Sequence, residues 1–135
     1  MNSGIICVGN NIFETLLAIT AQEQERGLMY VDPPIPNMTF VYERPQINKF
    51  WMANTKAPLD IIFCNAGKVS QICAGEPFST TIIGDNKFSD LVVELPYGTA
   101  IKNNIKIGHS IKLIKPNKDE LKEIIAKKLY QIVKL

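Results

Sequence analysis

Apolar residues in this chain come in short runs, each cut off by a turn signal, and that rhythm leaves little room for anything but short strands. Residues 4–8 form the first run and stop at Gly9-Asn10-Asn11. Residues 12–19 form the second, with Phe13, Leu17 and Ile19 on one face and Glu14 and Ala18 nearer the other. Further runs fall at 38–43, 47–53, 59–64, 68–74, 90–95 and 110–115. Arg44-Pro45, Lys56-Ala57-Pro58 and Asn65-Ala66-Gly67-Lys68 separate them, and the last of these reads as a hairpin loop because Asn and Gly tolerate positive φ. Residues 78–89 are polar, with Gly84-Asp85-Asn86 at the expected tip, and Pro96 ends the run before it. Many short strands at even spacing predict a mainly β chain, a compact β-sandwich or partly closed barrel.

Two segments break the rhythm. Thr20-Ala-Gln-Glu23 is a capping box, in which a hydroxyl and a carboxylate satisfy orphan amides at a helix start. It predicts a short helix over 21–26, stopped by Gly27. Asp32-Pro-Pro-Ile-Pro-Asn37 then has to be irregular, since three prolines remove donors and fix φ. A helical turn is expected over 98–104. Beyond 116, Pro-Asn followed by Glu120 marks another helix start. Leu121, Ile124, Ile125, Leu129, Ile132 and Val133 then share one stripe of a helix about 18 residues long. Such a helix does not persist undocked, because ordering its backbone costs about as much as its apolar face returns. It is expected to pack on the β domain, 1–115, or on a partner.

Composition removes several classes of function. The 135 residues suit one domain, and 46% are hydrophobic, far above a disordered chain. The formal charge is only +2, lysines outnumber arginines 13 to 2, and most lysines are scattered over the second half, whereas Phe50, Trp51, Tyr30 and Tyr42 stand in the lysine-poor half. A nucleic-acid surface needs cations and stacking aromatics together, so none is expected. Cys7, Cys64 and Cys73 have no metal or redox spacing and read as free thiols, and the lone His109 reads as a turn residue. Neither a metal nor a cofactor is expected. No run is long and apolar enough for a membrane helix. With no basic start in the first 25 residues, the chain is expected to be cytoplasmic when made.

Several motifs resemble a known family. Glu25-Arg-Gly-Leu-Met29, Phe50-Trp-Met-Ala-Asn-Thr55 and Pro58-Leu-Asp-Ile-Ile-Phe63 come first. Val92-Val-Glu-Leu-Pro-Tyr-Gly-Thr-Ala100 and Ile105-Lys-Ile-Gly-His109 follow in order. Over roughly 12–114 the chain is similar to the uncharacterised family catalogued as domain of unknown function 192. The resemblance implies a compact β domain and no particular activity. Its members occur in bacteria and archaea, often behind a signal or lipid anchor, and similar domains occur in tailed phages. This chain has Ala53 where the family usually has Lys, and it is expected to lack the leader and to add the C-terminal helix.

The residues best suited to chemistry are Glu25, Arg26, Trp51, Asn54, Thr55, Asp60 and Glu94. Read as a site, Trp51 is a stacking floor, Asn54 and Thr55 hydrogen-bond a small polar ligand, and Asp60 or Glu94 orients it or acts as a base. Read as structure, Arg26 pairs with Glu94 or Asp60, Asn54 and Thr55 brace the loop before Pro58, and Trp51 fills the core. No nucleophile signature and no glycine-rich phosphate cradle is present. The leading expectation is a non-catalytic structural or interaction protein that docks a protein partner or itself through the C-terminal helix. The high Ile, Lys and Asn content (19, 13 and 11 residues) suggests an AT-rich genome and a phage virion or accessory role. The alternatives are a small-molecule or glycan binding module at Trp51 and Asn54, and a hydrolase or lyase using Glu25, Asp60 or Glu94.

Overall fold

The computed structural model describes residues 1–114 and Ala126. All seven strands overlap expected apolar runs, although the third extends past the run that predicts it. They are β1 (Asn2–Val8), β2 (Asn11–Ala18), β3 (Met38–Ile47), β4 (Leu59–Asn65), β5 (Lys68–Gly75), β6 (Phe88–Pro96) and β7 (Ile111–Ile114), with helices α1 (Ala21–Arg26) and α2 (Thr99–Lys102). All seven strands join one sheet in the order β5-β4-β6-β3-β2-β1-β7. The sheet curls until the segment before β7 reaches the far edge strand. Val69 N–H donates to His109 O at 2.9 Å, Gly108 N–H to Val69 O at 2.8 Å and Ile111 N–H to Gly67 O at 2.9 Å. The fold is therefore mainly β, and of the two expected architectures it is the partly closed barrel.

Closure is not complete, and both faces of the central strands are covered. On β4 and β6 the side chains alternate between two apolar layers. Ile62, Cys64, Val93 and Leu95 join Ile6, Val8, Ala100, Ile105 and Ile111 in one layer. Leu59, Ile61, Phe63 and Val92 join Met38, Phe40, Met52 and Leu28 in the other. That double burial is why 59–64 reads as an almost unbroken apolar run rather than an alternating one.

The second layer is roofed by the connection between β2 and β3. These strands are parallel, Leu16 opposite Met38 and Ala18 opposite Phe40, so the chain has to cross over between them. The crossover holds α1 and the proline-rich loop. The capping box forms as the sequence requires: Glu23 N–H donates to Thr20 Oγ1 at 3.1 Å, and Thr20 N–H to Glu23 Oε1 at 3.0 Å. The Thr20 amide, with that of Ile19, holds the Glu23 carboxyl below its ordinary pKa. Gly27 ends the helix with φ 51° and ψ −129°, a positive-φ stop outside the left-handed helical basin. Gln24 Nε2 ties the helix to the sheet through Ala18 O (3.1 Å) and Val41 O (2.8 Å). We expect Thr20→Ala to cost about 1 kcal/mol, read as a lower urea midpoint with unchanged slope.

Two local expectations are corrected. No strand forms over 47–53; only Phe50 bridges, to Ile83. Arg44-Pro45 is not a turn either, since β3 runs through it. Its pairing with β6 is interrupted between Val41 and Gln46, and in that gap the amide Pro45 lacks is not needed. The 65–68 hairpin does form, with Ala66 (φ 50°) and Gly67 (φ 76°) as the two left-handed residues. The six docking residues from Leu121 to Val133 lie outside the described residues.

Candidate functional site

Glu94 is the residue whose surroundings most need explaining. It sits on β6 between Met38 of β3 and Ile61 of β4, on the same face as Val92. Only 5% of its surface is exposed. Among the described residues no hydrogen bond or ion pair reaches its carboxyl. Burial raises its pKa from 4.5 to about 8, because removing a carboxylate from water without a partner disfavours the charged form. The same burial, with the adjacent Glu94 charge as a smaller cause, pushes up the Tyr42 phenol.

This carboxyl faces a cavity of about 230 Å³. From α1 and its C-terminal turn come Gln24, Glu25, Arg26 and Gly27; from the segment after β3 come Lys49, Phe50, Trp51 and Thr55; Phe40 supplies part of the floor. Phe40 and Phe50 meet edge to face, ring centroids 5.0 Å apart and planes at 79°. Trp51 does not fill the core: it is 48% exposed at the cavity. Lys49 Nζ donates to Gly84 O (2.9 Å) and Asn86 Oδ1 (3.0 Å), which engages it with the 84–86 loop. Arg26 is exposed and makes no ion pair with Glu94 or Asp60; the salt bridge found among the described residues is Lys56–Asp32.

Backbone strain collects beside the cavity. Tyr30, Asn54 and Phe78 all have left-handed φ, at 65°, 57° and 63°. Tyr30 N–H donates to Asn54 O at 2.8 Å, and Phe78 N–H to Thr55 O at 3.1 Å, so the three are stitched together through 54–55. Such conformations cost of order 1 kcal/mol each for residues with side chains and persist where surrounding structure holds them. Tyr30 and Phe78 are also exposed, like Trp51.

Five of the seven expected residues, Glu25, Arg26, Trp51, Thr55 and Glu94, therefore line one cavity. Two do not. Asn54 points its backbone, not its side chain, into the Tyr30 contact, and its own surface is exposed. Asp60 faces the opposite layer, where Oδ2 accepts the Ala100 N–H at 2.9 Å. It caps α2, whose N-cap residue Gly98 has no side chain to do so. Thr55 in part braces its own loop, its hydroxyl donating to Ala53 O at 3.2 Å. Sequence reasoning missed Lys49, Gln24, Phe40 and Phe50. Lys49 and Phe50 adjoin the tryptophan motif, and Gln24 adjoins Glu25, so adjacency was the available signal.

Other hollows lack a comparable group. An open trough of about 620 Å³ runs beside β2 past Ser3, Glu14 and Pro36, and another of about 550 Å³ lies among Asn10, Asn11, Asn104 and His109. Neither holds a buried ionisable side chain. His109 lies in the turn before β7, its Nδ1 accepting the Lys106 N–H at 3.1 Å. Cys64 is a buried free thiol, and Cys7 and Cys73 are partly buried ones. Among the described residues no cluster of His, Cys, Asp and Glu could hold a metal, and no helix is long and apolar enough to cross a membrane.

Fold and cavity together define a class: a small half-barrel of one curled sheet, carrying an acid-floored, aromatic-walled cavity beneath its crossover. The chain belongs to the family described as Uncharacterized ACR, domain of unknown function 192, whose model matches residues 5–113. A protein of unknown function from Novosphingobium aromaticivorans is similar at 30% identity and a TM-score of 0.75, over 80% of this chain and 83% of that one. A proposed transcription regulator from Sinorhizobium meliloti is similar at 25% identity and a TM-score of 0.78, over 82% and 93%. No curated protein matches the chain.

Proposed function

We propose that this protein is a small-molecule binding module whose site is the cavity over Glu94. One observation carries the reading: a carboxyl with 5% exposure and no partner among the described residues faces an aromatic-walled hollow. An unpaired buried carboxyl costs stability, and a bound ligand that hydrogen-bonds it removes that cost. The half-exposed Trp51 offers a stacking face at the opening. The strained Tyr30, Asn54 and Phe78 backbone beside it fits a preorganised site, since strain of this kind concentrates where function needs it. At about 230 Å³ the cavity is smaller than the roughly 300–1,000 Å³ of drug-sized ligand pockets, so the ligand is a small metabolite.

The test is a thermal-shift screen of the full chain against small metabolites and sugars. At about a hundredfold excess over Kd a ligand stabilises by about 2.7 kcal/mol, roughly a 10 °C rise in Tm for a domain of this size. Trp51→Ala, at a half-exposed position, is expected to fold and to lose most of that rise. A screen in which no compound raises Tm, or in which Trp51→Ala responds as the parent does, overturns the reading.

A further inference from the structure

Glu94, Glu25 and Arg26 line the same cavity, and none of the three has a side-chain partner among the described residues. Glu94 lies at the floor with no hydrogen bond or ion pair. Arg26 lies in the last turn of α1, exposed and equally uncommitted. They do not meet each other, because no salt bridge joins them. The other nearby cation, Lys49, is engaged with Gly84 and Asn86. The rings of Phe40, Phe50 and Trp51 line the same cavity.

Resting on the binding-module reading, we infer that the ligand is a small zwitterion of the amino-acid class, its ammonium held by Glu94 and its carboxylate by Arg26. A purely cationic ligand finds Glu94 and the exposed Glu25 but leaves the guanidinium unsatisfied and is repelled by Arg26 and Lys49. A purely anionic one is drawn to the rim and meets a carboxyl at the floor. A molecule with separated opposite charges satisfies both, and the aromatic walls favour its ammonium through their negative faces. Arg26 suits the carboxylate because its planar fork donates to two oxygens at once. Thr55 and Gln24 have their polar groups engaged with backbone carbonyls, so they add shape rather than charge.

The proton balance follows from the groups facing Glu94. These are Tyr42 from β3, Glu25 and Arg26 from α1, and Lys49 from the segment after β3; Met38 and Ile61 flank it with apolar surface. Without ligand, Glu94 holds its proton at pH 7. An arriving ammonium stabilises the carboxylate, so the proton leaves to solvent while the ligand enters and leaves as the same zwitterion.

Calorimetry of the full chain at pH 7 tests this, using the free L-amino acids and γ-aminobutyrate as probes. Each binder is repeated in phosphate and in Tris, and compared with its decarboxylated amine and its N-acetyl derivative. At least one zwitterion is expected to bind with release of close to one proton. Its amine and N-acetyl forms are expected to bind at least tenfold more weakly. Arg26→Gln is expected to erase the preference for the zwitterion over the amine, and Glu94→Gln to abolish proton release. Failure of every zwitterion to bind, or binding that Arg26→Gln leaves unchanged, overturns the inference. If a sugar or a simple anion then binds in a Trp51-dependent way, only the ligand class is wrong. If neither set binds, the binding-module reading falls with it.

Discussion

Glu94→Gln is expected to make this protein more stable at pH 8 and no more stable at pH 4. Glu94 titrates near 4.5 in the unfolded chain and near 8 in the native state. Below pH 4.5 both states hold the proton, and the group adds no pH dependence. As pH rises from 4.5 towards 8 the unfolded chain ionises while the native protein stays protonated. Stability therefore falls across that window, by about 1.4 kcal/mol for each pH unit and by about 4 kcal/mol in total at pH 8. The glutamine cannot ionise, so its variant escapes the fall. Its amide adds a donor that burial leaves unpaired, at about 1 kcal/mol. The net gain at pH 8 is then about 3 kcal/mol, near 10 °C in Tm, while at pH 4 the variant is equal or slightly weaker. Urea melts of both proteins at several pH values from 4 to 8.5 decide the matter. Parallel pH profiles for parent and variant would show that Glu94 is solvated or paired in solution.

The second large effect concerns Phe40, which is 2% exposed and packs its ring on Phe50 within the layer beneath the crossover. Its ring tip also lies close beneath Gly27, where an added Cβ would come within 3.2 Å. Phe40→Ala is expected to cost about 3–5 kcal/mol, a large share of the 5–15 kcal/mol typical of a whole domain. Ile62→Ala is the matched control, with 0% exposure in the opposite layer and an expected cost of about 2–5 kcal/mol. Both variants should melt earlier in urea. Only Phe40→Ala removes a wall of the cavity, so only it should weaken ligand binding once the folded fraction is accounted for. Equal weakening by Ile62→Ala would place the ligand elsewhere.

These two expectations meet in one feature of the molecule. A glutamine or an apolar residue at 94 would serve the fold better than an unpaired carboxyl does. Retaining the acid is expected to lower stability at neutral pH, and on the proposed reading that loss is the usual relation between a binding group and the structure that holds it.

What local chemistry specifies was legible in the residues alone. The capping box at 20–23 needs only neighbours three residues apart, and it forms with both hydrogen bonds. The 65–68 hairpin needs only two residues that accept positive φ. The mainly β architecture follows from the spacing of apolar runs, and the family from its ordered motifs. Strand limits were harder, because Pro45 is tolerated only through an interruption in pairing that the partner strand defines.

The site was half legible for a similar reason. Asp60 and Glu94 are both acids in apolar strands, and sequence gives them equal claims. Register separates them: Asp60 pairs with Leu95 and Glu94 with Ile61. A one-residue offset in a pleated sheet sends side chains to opposite faces. Asp60 is thereby spent on the start of α2, and Glu94 is turned under the crossover, towards Arg26 and Trp51. Short-range hydrogen bonding and hydrophobic rhythm determined which elements this chain makes. Which of its acids became the unpaired one was decided only when three distant strands chose their register, since burial and partnership are properties of the assembled sheet.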